Sequence, residues 1–159
     1  METKAGSEAA AALGRAARRR TVVQITKQVE FSACHRLYNP AFADEKNWKV
    51  FGICNNPNGH GHNYVLDVTL SGEPDPETGM IIDLKELKDI LEDRLIARVD
   101  HKNLNLDVDF LRDCVPTVEN LVIRFWDLLD GRIPGCTLHE LVLYESRTNF
   151  ARYRGPQEG

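Results

Sequence analysis

Nine consecutive residues hold the densest chemistry in this sequence: Cys54-Asn55-Asn56-Pro57-Asn58-Gly59-His60-Gly61-His62. Side chains alternate along an extended chain, so His60 and His62 point the same way and can face one ion. Imidazole nitrogen is a good zinc ligand at about 2.0–2.1 Å. His35 follows an earlier β-rich run, Val22 to Cys34. Antiparallel pairing of that run with the one beginning at His62 brings His35 to the His60/His62 end. Three neutral imidazoles plus water make an open zinc site of the catalytic type, and a cysteine in the fourth position makes a closed structural one. Cys54 is the thiol that spacing leaves open for that position. Cys34 adjoins His35 and points to the opposite face. A His-x-His pair in a polar loop that binds nothing is the plainer alternative.

Two further groups invite chemistry. Asp100-His101 comes after a helical run, where the aspartate can orient and polarise its neighbour. The same pair also suits a helix end, with histidine complementing the dipole and aspartate forming a turn. Glu145 ends the run Leu141-Val142-Leu143-Tyr144-Glu145, on the same face as Leu141 and Leu143. A carboxylate on an apolar face needs a partner, because burying it unpaired is costly. A planar heterocycle rich in N–H groups fits, since one carboxylate accepts two parallel hydrogen bonds. A solvated glutamate at the strand end is the other reading.

Periodicity supplies the scaffold for these groups. Val22 to Cys34 is predicted as a long strand, and Phe31, Ala33 and His35 share one face of it. Tyr38 to Gly61 is broken by Pro40, Gly52, Pro57 and Gly59 and reads as a long loop. His62 to Gly72 is a second strand with Tyr64, Leu66, Val68 and Leu70 on one face. Asp83 caps a helix over 84–99, with Leu84, Leu87, Leu91 and Leu95 at helical spacing. Asp100 to Asn103 leaves it as a loop. Thr117 caps a second helix that buries Val118, Leu121, Val122, Phe125 and Leu129. Thr137 to Ser146 and Phe150 to Arg154 are two more strands. The order β-β-α-α-β-β predicts an α+β domain: a four-stranded antiparallel sheet with two helices on one face. Its exposed edges and second face predict burial through oligomerisation.

Composition bounds the rest. The chain has 159 residues and a net charge of −4, a balance that makes no case for nucleic acid. No apolar run approaches the roughly 20 residues of a membrane-spanning helix. Charge is uneven: Lys4, Arg15, Arg18, Arg19 and Arg20 against Glu2 and Glu8 make the first 20 residues basic. Residues 1–20 are predicted as a disordered basic extension, and 21–159 as a single domain. The Ala/Arg-rich segment also faintly resembles a mitochondrial transit peptide. No apolar segment comes after the start, so the expected compartment is the cytoplasm. There the four cysteines stay reduced, and at least one is a candidate working thiol.

Five segments in register carry a family resemblance: Phe31-Ser32-Ala33-Cys34-His35-Arg36-Leu37, Cys54 to Tyr64, Asp100-His101-Lys102-Asn103-Leu104, Pro116-Thr117-Val118-Glu119-Asn120 and Tyr144-Glu145. Together they resemble the 6-pyruvoyl-tetrahydropterin synthases, from about Thr21 to Arg154. The resemblance implies a tunnelling fold, in which sheets of three subunits close into a barrel and two trimers stack as a hexamer. It implies zinc on His35, His60 and His62. It implies Cys54 as catalytic base with Asp100 and His101, the pair serving a neighbouring subunit's thiol. Glu145 matches the pterin-anchoring glutamate, and Thr117 lies in the segment lining the pterin pocket. The implied reaction is that of a phosphate-eliminating lyase of tetrahydrobiopterin biosynthesis, which converts 7,8-dihydroneopterin triphosphate to 6-pyruvoyl-tetrahydropterin and triphosphate. Two alternatives stay open from the residues: the related 6-carboxy-tetrahydropterin synthase reaction, and a non-catalytic zinc-stabilised binding module. The basic extension lies outside the resemblance, and Cys34 stands where relatives often have serine or alanine.

Overall fold

A computed structural model describes residues 20–157, so residues 1–19 of the predicted basic extension lie outside the described residues. The long apolar alternations form the strands expected of them. Strand β1 (Val23–His35) pairs antiparallel with β2 (His60–Gly72) over its whole length, from Val23 opposite Gly72 to His35 opposite His60. Strand β2 in turn pairs with β4 (Thr137–Tyr144), and β4 with β5 (Phe150–Tyr153). One face of this sheet carries Phe31, Ala33, Tyr64, Leu66, Val68, Leu70, Leu141 and Leu143, all buried.

Among the described residues the sheet has five strands, not four. Lys102–Asn103 forms the short β3, parallel to β1 at Ala33 and Cys34, and the order is β3-β1-β2-β4-β5. Two residues cannot show a period of their own, so only the pairing partner reveals this strand. Because β3 covers only the end of β1, with Ser32 bonded by Asp100 and His101 just before it, Val23 to Phe31 has no strand on that side among the described residues.

Two helices supply the other half of the core. Helix α2 (Leu84–Leu91) starts at Asp83, whose carboxylate accepts from the Lys85 N–H at 2.8 Å. Leu87 and Leu91 are buried, but Leu84, expected in the stripe, is exposed. It sits in the first turn, ahead of the contact with the sheet. The helical run expected over 84–99 is not uniform. A π turn (Glu92–Ile96) separates α2 from the short α3 (Ala97–Val99). A π turn holds one residue more than an α turn, so it rotates the remaining helical residues by about 100°. Leu95, Ile96 and Val99 are buried, and Asp100 leaves the helix beside β1.

Helix α4 (Val118–Leu129) is capped by Thr117, whose Oγ1 accepts from the Asn120 N–H at 3.4 Å. Leu121, Val122, Phe125, Trp126 and Leu129 are buried, whereas Val118 is only half-buried. Phe31 stacks on Tyr64 at 4.8 Å and meets the edge of Phe125 at 5.9 Å, joining sheet to helix. Burying a side chain of this size contributes about 1.5–3 kcal/mol.

The opposite sheet face is held by cross-strand polar pairs. Thr26 meets Thr69 at 2.8 Å, Gln28 donates to Asp67 at 2.8 Å, and Gln24 meets His139 at 2.9 Å. Arg154 donates to Glu140 at 2.6 Å.

The region expected as one long loop contains helix α1 (Asp44–Phe51) and a 3-10 turn (Gly52–Asn55). This segment has little apolar periodicity, and buried amides hold it instead. Asn47 is fully buried, accepts from the Asn39 N–H at 2.9 Å and donates to the Asn39 carbonyl at 3.1 Å. Among the described residues, no helix is long and apolar enough to cross a membrane.

Candidate active site

The ends of β1 and β2 bring three imidazoles together. His35 lies opposite His60, and His62 lies opposite Ala33, all on the apolar face. Gly59 permits this approach. Its φ is 71°, and a Cβ there would lie 2.9 Å from the His35 carbonyl oxygen, so a larger residue would push the strand ends apart. One ligand atom from each of His35, His60 and His62 falls within 4.8 Å of the others. His35 Nε2 and His60 Nε2 are 3.1 Å apart. Two ligands of a tetrahedral zinc lie about 3.3 Å apart when each bond is about 2.05 Å, so the spacing suits that ion. His62 Nε2 is buried and has no hydrogen-bond partner among the described residues. An unsatisfied nitrogen facing two other imidazoles is the donor set of a metal centre.

The surroundings keep these rings neutral. Burial is the main cause that holds His35 down to about 4. His60 and His62 push the same way, and a hydrogen bond to the Pro116 carbonyl opposes them. Burial also lowers His62, against the attraction of Glu145. Neutral imidazole is the form that ligates.

Acid should therefore destabilise the metal-free protein. In it His35 stays neutral until about pH 4, while the unfolded chain takes up the proton near 6.5. The unfolded state binds more protons across that window, and stability falls as the solution is acidified through it. The expected loss from this group is roughly 3 kcal/mol. Urea midpoints of the chelator-treated protein at pH 7, 5.5 and 4.5 measure it, and a constant midpoint would remove the basis for a neutral His35.

Glu145 lies just past β4, not within it, because the strand ends at Tyr144. Its backbone N–H bonds the Asn149 carbonyl at 3.0 Å in the turn to β5. Its Oε1 is 3.8 Å from His62 Nε2, and the side chain is mostly buried. The carboxylate thus stands beside the imidazoles with acceptor capacity to spare. Thr117 begins α4, one residue beyond Pro116, whose carbonyl oxygen is 2.8 Å from His35 Nδ1.

Asp100 and His101 form a hydrogen-bonded dyad. Asp100 Oδ2 is 2.8 Å from His101 Nδ1, and Asp100 Oδ1 accepts from the Ser32 N–H at 2.8 Å. That backbone bond is the main cause holding the Asp100 carboxyl below its usual range. His101 donates its own N–H to the Ser32 carbonyl at 2.6 Å and has φ of 56°, a conformation that costs a non-glycine residue about 1 kcal/mol or more. Its side chain is 83% exposed, and among the described residues nothing in its own chain uses the free nitrogen. An open groove of about 600 Å³ lies beside His101, lined by Ser32, Cys34, Gly61, His62, His101 and Lys102; neither His35 nor His60 lines it.

Cys54 sits elsewhere, in the 3-10 turn after α1, and is half-buried. Its carbonyl accepts from the Leu37 N–H at 2.9 Å. The next residue, buried Asn55, takes the Arg36 guanidinium at 2.8–3.1 Å, which ties this turn to the chain just beyond His35. Among the described residues no hydrogen bond or ion pair joins Cys54 to Asp100 or His101. One chain therefore gathers the imidazoles, Glu145 and Thr117, while the thiol and the dyad are held by different segments, the thiol's turn by Leu37 and the dyad by Ser32. Arg36, Asn47, Asn55 and the Pro116 carbonyl are supporting groups that sequence reasoning misses. Arg36, Asn55 and Pro116 lie inside the segments that carry the family resemblance, whereas Asn47 carries no signal.

Fold and site together define an α+β domain with a three-imidazole pocket where its two longest strands meet. A sequence profile described as 6-pyruvoyl tetrahydropterin synthase matches residues 24–156. The chain is 45% identical over 137 residues to the 6-pyruvoyl tetrahydrobiopterin synthase of Homo sapiens, covering 86% of this chain and 94% of that one. It is 44% identical over 131 residues to the enzyme of that name from Poecilia reticulata, covering 82% and 89%. The solved structure of Caenorhabditis elegans 6-pyruvoyl tetrahydropterin synthase superposes with a TM-score of 0.79 at 38% identity, over 87% of this chain and 99% of that one. This chain belongs to the 6-pyruvoyl tetrahydropterin synthase family, and its α+β subunit has the fold of those synthases.

Proposed function

We propose that this protein is a zinc-dependent lyase that converts 7,8-dihydroneopterin triphosphate to 6-pyruvoyl-tetrahydropterin and triphosphate, in tetrahydrobiopterin biosynthesis. The observation that carries the reading is the buried, unpartnered His62 Nε2 facing His35 and His60, in a chain so similar to synthases of that name. His35, His60 and His62 hold the ion. Bound there, zinc supplies Lewis-acid polarisation of the substrate's side-chain oxygens.

The chain's own groups do the rest. Glu145 accepts two N–H bonds from the pterin ring and orients it, with Thr117 lining the same pocket. Cys54, as thiolate, removes the carbon-bound proton beside a side-chain hydroxyl. His101 relays protons to and from that thiol, and Asp100 sets its tautomer. Each site takes its dyad from a neighbouring subunit, in a homohexamer of two trimers; among the described residues no hydrogen bond or ion pair joins thiol and dyad within one chain. Several features support such contacts: the open β1 edge, and the exposed Trp48, Val50 and Ile53 on the segment leading to Cys54. The cytoplasm is the proposed location, where four free thiols remain reduced.

Mass spectrometry of products from zinc-loaded protein incubated anaerobically with 7,8-dihydroneopterin triphosphate tests this. A pyruvoyl group at pterin C6 with released triphosphate is expected. A carboxy group with acetaldehyde would assign the 6-carboxy-tetrahydropterin synthase reaction instead. Unchanged substrate, from folded and zinc-bound protein, would indicate a binding module.

Glu145→Gln keeps the shape of the side chain and loses its charge. Substrate KM is expected to rise about tenfold or more, while the melting temperature stays within a few degrees. A mutant that unfolds, or one with unchanged KM, would remove Glu145 from the pterin anchor.

A further inference from the structure

A buried imidazole that offers one nitrogen to an ion needs its other nitrogen held, or the ring settles in the wrong tautomer. His35 is 1% exposed, and its Nδ1–H donates to the Pro116 carbonyl at 2.8 Å. That proton assignment leaves the Nε2 lone pair free, 3.1 Å from His60 Nε2. The acceptor itself is unusually constrained. The Thr117 N–H bonds the Val115 carbonyl at 2.8 Å, closing a three-residue turn centred on Pro116. Such a turn wants a central φ near −75°, and the proline ring imposes about −65°. Asn120 Nδ2 donates to the same Val115 carbonyl at 2.8 Å from the first turn of α4. Pro116 is itself buried, and α4 is fastened into the core by Leu121, Val122 and Phe125. Proline adds a further property: it has no N–H, so this turn presents only an acceptor to His35.

We propose that Pro116 is a positioning residue for the metal centre. The turn it forms, pinned by the Asn120 side chain, fixes His35 as the Nδ1–H tautomer and aims Nε2 at the ion. The inference rests on the reading of His35, His60 and His62 as a zinc site. It also makes the start of α4, where Thr117 stands, mechanically continuous with a metal ligand.

The test compares full-length wild type with Pro116→Gly, which frees the turn, and Asn120→Ala, which removes its pin but keeps the proline. Leu129→Ala, at the far end of α4, is the control for lost stability alone. Zinc affinity is read by chelator competition, and the His35 tautomer by nitrogen-15 NMR of the metal-free protein. Pro116→Gly and Asn120→Ala are each expected to weaken zinc binding by about tenfold or more, the usual effect of losing an outer partner. Their His35 spectra should show mixed tautomers, while Leu129→Ala stays within about twofold of wild type in affinity. Unchanged affinity with a pure Nδ1–H tautomer in both variants overturns the proposal. So does an equal loss of affinity in the Leu129 control. Wild type that binds no zinc would sink the metal assignment, and the nitrogen-15 spectra would still report whether Pro116 sets the tautomer.

Discussion

Cys54→Ala is expected to retain its zinc and lose nearly all turnover. The thiol lies outside the cluster formed by His35, His60 and His62. The turn that carries it is held by backbone and by Asn55–Arg36 contacts that do not involve sulfur. Removing Sγ therefore leaves the local structure and the metal ligands in place. It does remove the proposed base, and general-base catalysis contributes typically 10²–10⁴-fold. Turnover should fall by about 10³-fold, with bound zinc per chain unchanged. Metal analysis of the purified variant and a triphosphate-release assay read the two quantities separately. Loss of zinc would place Cys54 in a closed structural site, and undiminished turnover would transfer the base to another group. Cys34, which lines the groove beside His101, would be the first to examine.

The second large effect is expected at His62. His62→Ala should release zinc, with affinity falling by more than the roughly 100-fold that loss of an outer partner costs. Turnover should fall with it. Yet the metal-free variant should be no less stable than metal-free wild type. His62 Nε2 is buried without a partner, and such a group costs about 1–3 kcal/mol. Alanine relieves that cost. The continuous core of Tyr64, Leu66, Phe125 and Leu141 does not depend on the histidine. Circular dichroism and urea unfolding of both proteins in chelator, beside zinc titrations, make the comparison. A variant that unfolds would make the ion structural, and a variant that still binds zinc tightly would remove His62 from the ligand set.

The Cys54 and His62 experiments depend on different kinds of information. The two-residue alternation of Phe31-Ala33-His35 and His60-His62-Tyr64 is enough to place three imidazoles on one face, because strand geometry converts spacing directly into direction. Helix α4 and its Thr117 cap are legible for the same reason, through a period of 3.6. Alternation alone runs the third predicted strand to Ser146, two residues past its end at Tyr144, because it does not register the turn in which the Glu145 and Ser146 N–H groups both bond the Asn149 carbonyl. Helix α1 is invisible to periodicity because buried amides stabilise it. Asn47 reads as an ordinary loop residue until its partner Asn39 is brought next to it.

Residue types, the alternation that sorts them onto faces, and the five segments that mark the family are all present in the linear chain. Those are local properties, set by side-chain direction and backbone preference. Features that depend on contacts between distant segments needed the folded molecule. The π turn redirects Asp100 to Ser32, Lys102–Asn103 becomes a strand only beside β1, and the Pro116 carbonyl reaches His35 across 81 positions. In the fold the turn of Cys54 bonds Leu37, whereas the Asp100–His101 dyad bonds Ser32. Each segment answers to a different partner, so no spacing along the chain records the distance between them.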